Sequence, residues 1–322
     1  MTSRLSSADR TAASPWVSAH IFYQGSLNTV VTDLVGPLTQ QLSNDGSISD
    51  WFYLRYWDGG PHVRLRLLPA HGVAAGRIRR SVLSAATTFF EVNPSRTQLS
   101  QRDYRSYAHR LAAREGAQSF SDTLFPNQSV QFIAYAREHD RYGTGRAIAA
   151  VEQHFGRASR MATAIVTAAP SDRQLNAVAL VAILQSWLAA TRDLSTLHTW
   201  SVNHPWDSFR PIAAGYDALL HERYTGQRGR LIEVVRDVIA APGSTLSRWW
   251  DTVTELVADV AVIEADAPQE LPISATTSCA GLPILDICAH LFCNRIGVAP
   301  HEEHYLRHLI RRLLGELVGA RS

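Results

Sequence analysis

The stretch Trp51-Phe-Tyr-Leu-Arg-Tyr-Trp-Asp-Gly-Gly-Pro-His-Val-Arg-Leu-Arg-Leu-Leu68 decides how the first part of this chain folds. Two runs rich in aromatic and branched side chains are joined by Asp58-Gly-Gly-Pro61, a composition typical of a tight turn. The stretch therefore predicts a β-hairpin, with strands over 51–57 and 62–68.

Charged and apolar side chains alternate along the second strand of this hairpin. His62, Arg64 and Arg66 take every second position, with valine or leucine between them. Because successive side chains of a strand point to opposite faces, one face is charged and the other apolar. Two interpretations of the charged face remain open. It is either the solvated side of an outer strand or a pair of guanidinium groups that binds a carboxylate.

The chain contains no lysine, so all 31 of its basic residues are arginines. This absence excludes a Schiff-base lysine, a pyridoxal-phosphate anchor and the lysine of a phosphate-binding loop. Gly143 and Gly145 lack the third glycine and the preceding strand of a dinucleotide-binding fingerprint. Neither kind of cofactor site is therefore expected.

The composition is that of an ordinary soluble protein, with 322 residues, 46% of them hydrophobic, and a net charge of +2. This length suffices for one large or two modest domains. A net charge near zero gives no reason to expect nucleic acid or an anionic membrane as a partner. Residues 1–15 are polar and lack the apolar segment of a secretory signal, so we expect a disordered N-terminus and a cytoplasmic protein. The most apolar run, 177–190, is too short for a membrane span and predicts a buried core helix.

The three cysteines, Cys279, Cys288 and Cys293, show no paired C-x-x-C spacing and are odd in number. Such cysteines are typical of reduced thiols in a cytosolic protein. Structural zinc sites usually show the paired spacing, so we expect no metal site.

Strand-like segments concentrate near the start of the chain, at 17–23, 51–57 and 62–68. Helical periodicity follows, with helices predicted at 28–42 and 73–90, and one further strand is predicted at 99–107. From Ala147 onward the pattern predicts successive helices, broken near Pro170, Pro205, Pro242 and Pro272.

This order of elements favours an α+β fold over an alternating parallel sheet. We expect a mostly antiparallel N-terminal sheet with flanking helices, followed by a largely helical C-terminal half. A boundary near residue 145 would separate an α+β part, 16–145, from a helical part, 146–322.

A second motif, Glu138-His-Asp-Arg-Tyr-Gly143, lies just before this boundary. On a helix Glu138 and Arg141 would share one face and could pair. The pair is either an ordinary surface ion pair or an arrangement in which Glu138 orients a functional arginine.

A third motif is an apolar helix that carries Asp286, His290 and Asn294 at intervals of four, so that all three align on one face. His290 is either a core histidine with a hydrogen-bond partner or a general acid or base, because imidazole titrates near neutral pH.

Together with the segment Trp16-Val-Ser-Ala-His-Ile-Phe-Tyr-Gln-Gly25, these motifs resemble one family over nearly the whole chain. The family is the C-terminal elimination domain of class I lantibiotic dehydratases, which also occurs as a stand-alone protein in thiopeptide biosynthesis. The matching patterns are Arg-Tyr-x-Asp and Pro-His-x-Arg-x-Arg in the hairpin, Glu-x-x-Arg-Tyr-Gly, and His-x-x-x-Asn-Arg. The resemblance implies that both parts form one compact domain.

The resemblance implies that Arg64, Arg66, Glu138, Arg141 and His290 act together on a side chain esterified with glutamate. The implied reaction is a β-elimination that converts glutamyl-serine or glutamyl-threonine into a dehydroamino acid. The implied partners are a precursor peptide with its leader and a separate glutamylating enzyme that uses glutamyl-tRNA. The chemistry also fits the residue types, because imidazole can take a proton and arginines can stabilise an enolate and hold carboxylates. No metal or redox cofactor is required.

Two departures from the family pattern are visible. Phe292 stands where the family often has a second histidine, and the hairpin turn is Asp-Gly-Gly-Pro rather than an Asp-Pro type. The same scaffold resembles thiopeptide pyridine synthases, which join two dehydroalanines by a formal [4+2] cycloaddition and expel water and the leader. A non-catalytic module that binds the leader by strand addition is a third hypothesis. Arg64, Arg66 and Arg141 form the arginine clamp that would hold the glutamate carboxylate, and an intact clamp favours elimination.

Overall fold

The structure is a computed structural model, and it describes residues 14–115, 120–204, 215–272 and 281–320. Within these residues it contains a four-stranded sheet in the order β2-β3-β1-β4, with antiparallel neighbours. The strands are β1 (Val17–Phe22), β2 (Ile48–Tyr56), β3 (His62–Pro69) and β4 (Ser129–Phe132).

Helices fill most of the remaining described chain. Between β1 and β2 lie α1 (Leu27–Thr29), a π-helical segment (Val30–Val35) and α2 (Gly36–Asn44). The helices that follow β3 up to residue 167 are α3 (Ala75–Val92), α4 (Gln101–Glu115), α5 (His139–Tyr142) and α6 (Gly145–Thr167). The later ones are α7 (Asp172–Ala190), α8 (Leu194–Asn203), α9 (Tyr216–Ala240), α10 (Ser247–Asp266), α11 (Leu282–Ile296) and α12 (Pro300–Gly319). Short 3-10 turns occur at Pro242–Ser244 and Pro268–Glu270.

One face of the sheet is apolar and packs on helices. Val63, Leu65 and Leu67 of β3 are fully buried, as are Ala19 and Ile21 of the neighbouring β1. This face contacts α3 and the π-helical segment. As the alternation along β3 predicts, Arg64 and Arg66 lie on the opposite face of the sheet.

The outer edge of β2 is capped by side chains from the helical half. Ser159 Oγ accepts from the Tyr53 N–H at 3.1 Å, and Arg295 Nε donates to the Tyr53 carbonyl at 2.9 Å. Asn294 pairs with both backbone groups of Arg55, at 2.9 and 3.0 Å, as a neighbouring strand would. These contacts join α6 and α11 to the sheet and satisfy an edge that would otherwise be open.

The hairpin turn needs glycine. Gly59 has φ +81°, and a Cβ there would meet the Phe125 ring at 2.5 Å. The turn is held from outside by Tyr104, whose hydroxyl accepts from the Gly59 N–H at 2.7 Å. Asp58 accepts from the Ser121 N–H at 2.7 Å. This packing fixes the hairpin against α4 and the segment that follows it.

The α+β fold class and most predicted elements are confirmed. The hairpin strands and the predicted helices at 28–42 and 73–90 are present, and helices break near Pro170 and Pro242 as expected. The predicted buried helix at 177–190 is confirmed as the greater part of α7, which is mostly buried. In the described part of the chain no single helix is long and apolar enough to cross a membrane, although α7 and α8, bent by 117°, pass such a test as a pair.

The predicted strand at 99–107 is wrong, because this segment leads into the helix α4. Ser100 Oγ accepts from the Asp103 N–H at 3.1 Å, which caps the helix start. Tyr104, Ala108 and Ala112 follow at helical spacing and form a separate small core. The strand β4 was not predicted, because its four residues are too few to give a clear strand pattern.

Some expectations fall outside what the structure describes. Residues 1–13 of the predicted disordered N-terminus, 1–15, are outside the described residues, as is Cys279. The segments 205–214 and 273–280 are also outside the described residues. The predicted helix break at Pro205 lies in the first segment, and the one at Pro272 directly precedes the second. The domain boundary near residue 145 remains a prediction. The helix α6 begins at Gly145 and packs directly on β2.

Candidate active site

Four basic side chains, His20, His62, Arg64 and Arg66, meet on one face of the sheet. In the strand register His20 of β1 lies directly opposite Arg64 of β3, and Ser18 lies opposite Arg66. Residues directly opposite each other share a face, so His20, Arg64 and Arg66 form one cluster. The two arginines are candidates from the sequence, whereas His20 is not.

Arg66 is buried, with 6% of its surface exposed. Its Nε and Nη1 atoms have no hydrogen-bond partner among the described residues. The guanidinium lies over the Tyr135 ring, 5.2 Å from its centroid. Burial, with a smaller contribution from Arg64, lowers the pKa of Arg66 to about 9, so the group still carries its charge at neutral pH. The solvated-face interpretation therefore does not apply to Arg66.

Arg64 is held within the hairpin. Its guanidinium lies 3.5 Å from the centroid of the Tyr56 ring, and its Nε donates to His62 Nε2 at 3.3 Å. Asp58 Oδ2 is 4.0 Å from Nη2. The ring and the turn thus fix Arg64 beside Arg66, with a quarter of its side chain exposed.

His20 is buried beside these arginines, and its Nε2 has no hydrogen-bond partner among the described residues. Its ring stacks on His62 at 4.9 Å. Burial first, and then the charge of Arg66, lower the pKa of His20 to about 2, so the ring is neutral at neutral pH. In the sequence His20 sits between apolar neighbours and gives the signal of a core histidine. Only the strand register brings it to the arginine face.

These side chains line a cavity of about 180 Å³. Its wall combines the charged sheet face, the segment after β4, and apolar residues of α6 and α11. The lining residues are His20, Phe52, Leu54, Arg64, Arg66, Ile133, Ala134, Tyr135, Ala136, Glu138, Tyr142, Phe155 and Leu291. Buried donors without acceptors are costly unless a ligand supplies the acceptor, so this cavity is suited to an anionic group.

Glu138 lines the cavity, whereas Arg141 does not. The two side chains pair at 3.0 Å, and each is more than half exposed. The rest of this motif has a structural role: Tyr142 is buried, and Gly143 adopts φ +81° where a Cβ would clash with the Glu270 carbonyl. The structure therefore brings three of the five candidates, Arg64, Arg66 and Glu138, to one cavity and puts Arg141 beside it.

His290 is not among the cavity-lining residues, although the adjacent Leu291 is. His290 Nδ1 lies 2.8 Å from Glu303 Oε2. Glu303 also accepts from Arg307 at 2.9 Å, and Arg307 donates to Asp286 at 2.5 Å. Burial alone would raise the pKa of Glu303, but His290 and Arg307 together lower it below its usual value, so the carboxylate stays ionised.

The three aligned residues of α11 thus have different partners. Asp286 belongs to this buried ion network, His290 extends it, and Asn294 caps the sheet edge. Phe292, which replaces a second histidine of the family pattern, is fully buried and stacks on Trp249 at 4.2 Å. Glu303 was not a candidate from the sequence.

Among the described residues no group of three histidine, cysteine or acidic side chains could hold a metal ion. Cys288 and Cys293 are free and buried, and burial raises the pKa of both thiols. Neither has the lowered pKa of a reactive cysteine.

Three solved structures share this fold, each at 16% sequence identity. The pyridine synthase TbtD from thiomuracin biosynthesis superposes with a TM-score of 0.73, covering 95% of this chain and 99% of that chain. TsrL gives a TM-score of 0.60, covering 94% of this chain and 95% of that chain. The tRNA-dependent lantibiotic dehydratase MibB from Microbispora sp. 107891 gives 0.59, covering 100% of this chain but 29% of that chain.

No curated protein matches the chain significantly. A family model, described as lantibiotic biosynthesis dehydratase C-term, matches residues 16–314. This match spans the hairpin, the Glu138 motif and the His290 helix. The chain therefore belongs to the lantibiotic biosynthesis dehydratase C-terminal family.

Proposed function

We propose that this protein modifies a ribosomally made peptide by β-elimination of glutamate from glutamylated serine or threonine, giving dehydroalanine or dehydrobutyrine. Family membership supports peptide modification in general. The observation that carries the specific reaction is Arg66, a buried guanidinium beside the cavity whose Nε and Nη1 have no hydrogen-bond partner in the described part of the chain. A glutamyl ester brings a carboxylate that would pair with it.

The chemistry needs a base and an anion-stabilising group. The base removes the proton from Cα of the modified residue, the C–H electrons form the Cα=Cβ bond, and the Cβ–O bond breaks. Glutamate leaves with the electrons of that bond as a carboxylate. Arg64 and Arg66 would hold the glutamyl carboxylate and stabilise the charge that develops on the backbone carbonyl and the leaving group. His20 would add a neutral hydrogen-bond partner.

His290 is the proposed base. Its Nδ1 faces the ionised Glu303, and an Nδ1–H that donates to this carboxylate leaves the lone pair on Nε2. The neighbouring Leu291 lines the cavity, so His290 belongs to a turn of α11 that borders it. Glu138 is proposed to orient Arg141 beside the cavity, which makes Arg141 the outermost arginine of the clamp.

His290→Asn tests the base assignment. The asparagine amide can replace Nδ1 as a donor to Glu303, so we expect the fold to persist, but it cannot accept the proton. Turnover should fall about 10²- to 10⁴-fold, the usual contribution of a general base. Normal turnover would remove His290 from the mechanism. Arg66→Ala combined with His290→Ala tests the non-catalytic alternative, because a pure leader-binding module would keep its function.

Pyridine synthesis is the second candidate reaction. The superposition with TbtD over nearly the full length of both chains favours it. That reaction joins two dehydroalanines and expels water and the leader, so it brings no glutamyl carboxylate to Arg66. Buried Arg66, whose Nε and Nη1 have no hydrogen-bond partner among the described residues, therefore favours elimination over cycloaddition.

Mass spectrometry separates the two reactions. The protein is incubated with a glutamylated precursor peptide and, separately, with the same peptide already carrying dehydroalanines. Loss of glutamate from the first supports elimination. Release of the leader with formation of a macrocycle from the second, without glutamate loss from the first, overturns it.

The proposed partners are the precursor peptide with its leader and a separate glutamylating enzyme that uses glutamyl-tRNA. MibB is described as tRNA dependent, and this chain covers 29% of it. We propose that another polypeptide carries out the glutamylation. Co-expression of the precursor with this protein alone should then leave its serines unmodified.

A further inference from the structure

We propose that the substrate peptide binds as an added strand along β4 and the segment 133–136, with its modified side chain in the cavity. This inference rests on the proposed function, because it takes a side-chain-modified peptide as the ligand. The strand edge would hold the peptide backbone, whereas the arginine clamp holds only the modified side chain.

The two edges of the sheet differ. The β2 edge is capped by Ser159, Asn294 and Arg295. For β4, the described residues form no backbone hydrogen bond on the side away from β1. An unpaired edge of this kind is a template for another extended chain.

The open edge continues beyond β4. Ile133 has one backbone contact, since its carbonyl accepts from Ser18 Oγ. For Ala134, Tyr135 and Ala136, no hydrogen bond to the backbone N–H or carbonyl occurs in the described part of the structure. Ala134 and Ala136 are exposed. The chain is anchored again at Arg137, which pairs with Glu152 at 2.7 Å. A strip of free backbone groups thus runs between two anchors.

The same strip forms a wall of the cavity, since residues 133–136 line it. At about 180 Å³ the cavity is smaller than the roughly 300–1,000 Å³ of typical small-molecule pockets. It can hold one side chain but not the peptide that carries it. The backbone on either side of the modified residue must therefore pass the cavity wall, where the unpaired groups lie. Alternate side chains of the bound peptide strand would share one face, and the modified side chain on that face would point toward Arg66.

Backbone methylation of the peptide tests this docking. The probe is a nine-residue peptide with a central glutamyl-serine, methylated at one backbone nitrogen at a time, and affinity is measured by calorimetry. Strand pairing uses the N–H of every second residue, so we expect losses of about 2- to 10-fold at alternating positions. If affinity is lost at positions that do not alternate, or at no position, the inference is overturned. Glutamate release from the parent peptide would still support the proposed function in that case.

Ala134→Pro provides a matched test on the protein, because proline removes one backbone N–H of the strip. The control substrate is an N-acetylated glutamyl-serine amide, which has no flanking residues. We expect kcat/KM to fall several-fold more for the nine-residue peptide than for the short substrate, which contacts only the cavity wall. Equal effects on both substrates would overturn the docking. No glutamate release from either substrate by the wild-type protein would instead reject the proposed function.

Discussion

Arg66 and Arg307 are both buried arginines, with 6% and 5% of their surfaces exposed, but their surroundings differ. Arg307 donates to two carboxylates, Asp286 at 2.5 Å and Glu303 at 2.9 Å. Among the described residues Arg66 has no carboxylate partner, and its Nε and Nη1 have no hydrogen-bond partner. Buried charges in proteins are normally paired. Arg307 is therefore part of a structural ion network, whereas the surroundings of Arg66 support the proposal that it binds an anionic ligand.

The pKa values of these two guanidiniums move in opposite directions. Burial lowers the pKa of Arg66 to about 9. Burial also acts on Arg307, but Asp286 and Glu303 outweigh it and raise the pKa of Arg307 above its ordinary value. Arg66 thus lies at the cavity without a paired carboxylate among the described residues, whereas Arg307 in the network between α11 and α12 has two.

Arg307→Met should give the largest change in stability. The substitution leaves the buried carboxylates of Asp286 and Glu303 without their cation, and breaking a buried pair in this way costs about 3–5 kcal/mol. Urea unfolding measures the loss. Arg173→Met, at an exposed position on α7, is the control and should change the free energy of unfolding by no more than about 0.5 kcal/mol. Equal stability of the two variants would show that the network does not hold the fold.

Arg66→Met should show the opposite pattern. Turnover should fall about 10²- to 10³-fold, the loss expected when a group that stabilises a developing anion is removed. The free energy of unfolding should stay the same or rise, because an unpaired buried charge disappears. A kinetic assay on the glutamylated peptide and urea unfolding provide the two readouts. A variant that is destabilised yet fully active would show that Arg66, like Arg307, stabilises the fold and is not needed for turnover.

Acid should affect the two regions in different pH ranges. The pKa of His20 is lowered to about 2, so below pH 6.5 the unfolded chain binds a proton that the folded cavity excludes, and stability falls as the pH drops. His62 and His154, with pKa values of about 3, act in the same direction. Glu303 has a lowered pKa, so its contribution is lost only below its usual pKa of 4.5.

Two variants separate these ranges. His20→Phe should reduce the slope of stability against pH between about pH 6 and 4 by up to one proton, or about 1.4 kcal/mol per pH unit. Glu303→Gln should change the dependence only at lower pH. Unfolding measured at several pH values checks both, and a His20→Phe slope identical to that of the wild type would contradict the buried, neutral state of His20.

Arg141→Ala should have the smallest effect on stability. Its pair with Glu138 is more than half exposed on both sides, and such pairs contribute about 0.2–0.5 kcal/mol. If Arg141 belongs to the clamp, peptide turnover should nevertheless fall. An unchanged turnover would limit the clamp to Arg64 and Arg66 and leave Arg141 as a surface residue.

The sequence predicted the elements with long or regular patterns. The alternation of Arg64 and Arg66 with apolar residues gave the strand and its two faces, and the proline positions gave the helix breaks at 170 and 242. The error at 99–107 arose because a nine-residue window holds too few turns to reveal the helical spacing of Tyr104, Ala108 and Ala112. The Ser100-x-x-Asp103 cap was a signal for the helix that the sequence does contain.

The site was only partly predictable, because its contacts depend on packing between distant segments. His20 joins the arginines through strand register, and Glu303 joins His290 through the packing of α12 on α11. The sequence aligned Asp286, His290 and Asn294 on one helix face correctly. It could not show that Asp286 binds Arg307 and that Asn294 caps a strand edge 239 residues away.

The most direct test of the central claim compares two peptides that differ only in charge. Affinity is measured by calorimetry for a glutamylated peptide and for its glutaminyl counterpart, with the wild-type protein and with Arg66→Met. The wild type should prefer the glutamyl peptide by about 10- to 100-fold, the contribution of hydrogen bonds to a charged group. Arg66→Met should lose this preference. The same preference in both proteins, or none in the wild type, would contradict a carboxylate site at Arg66.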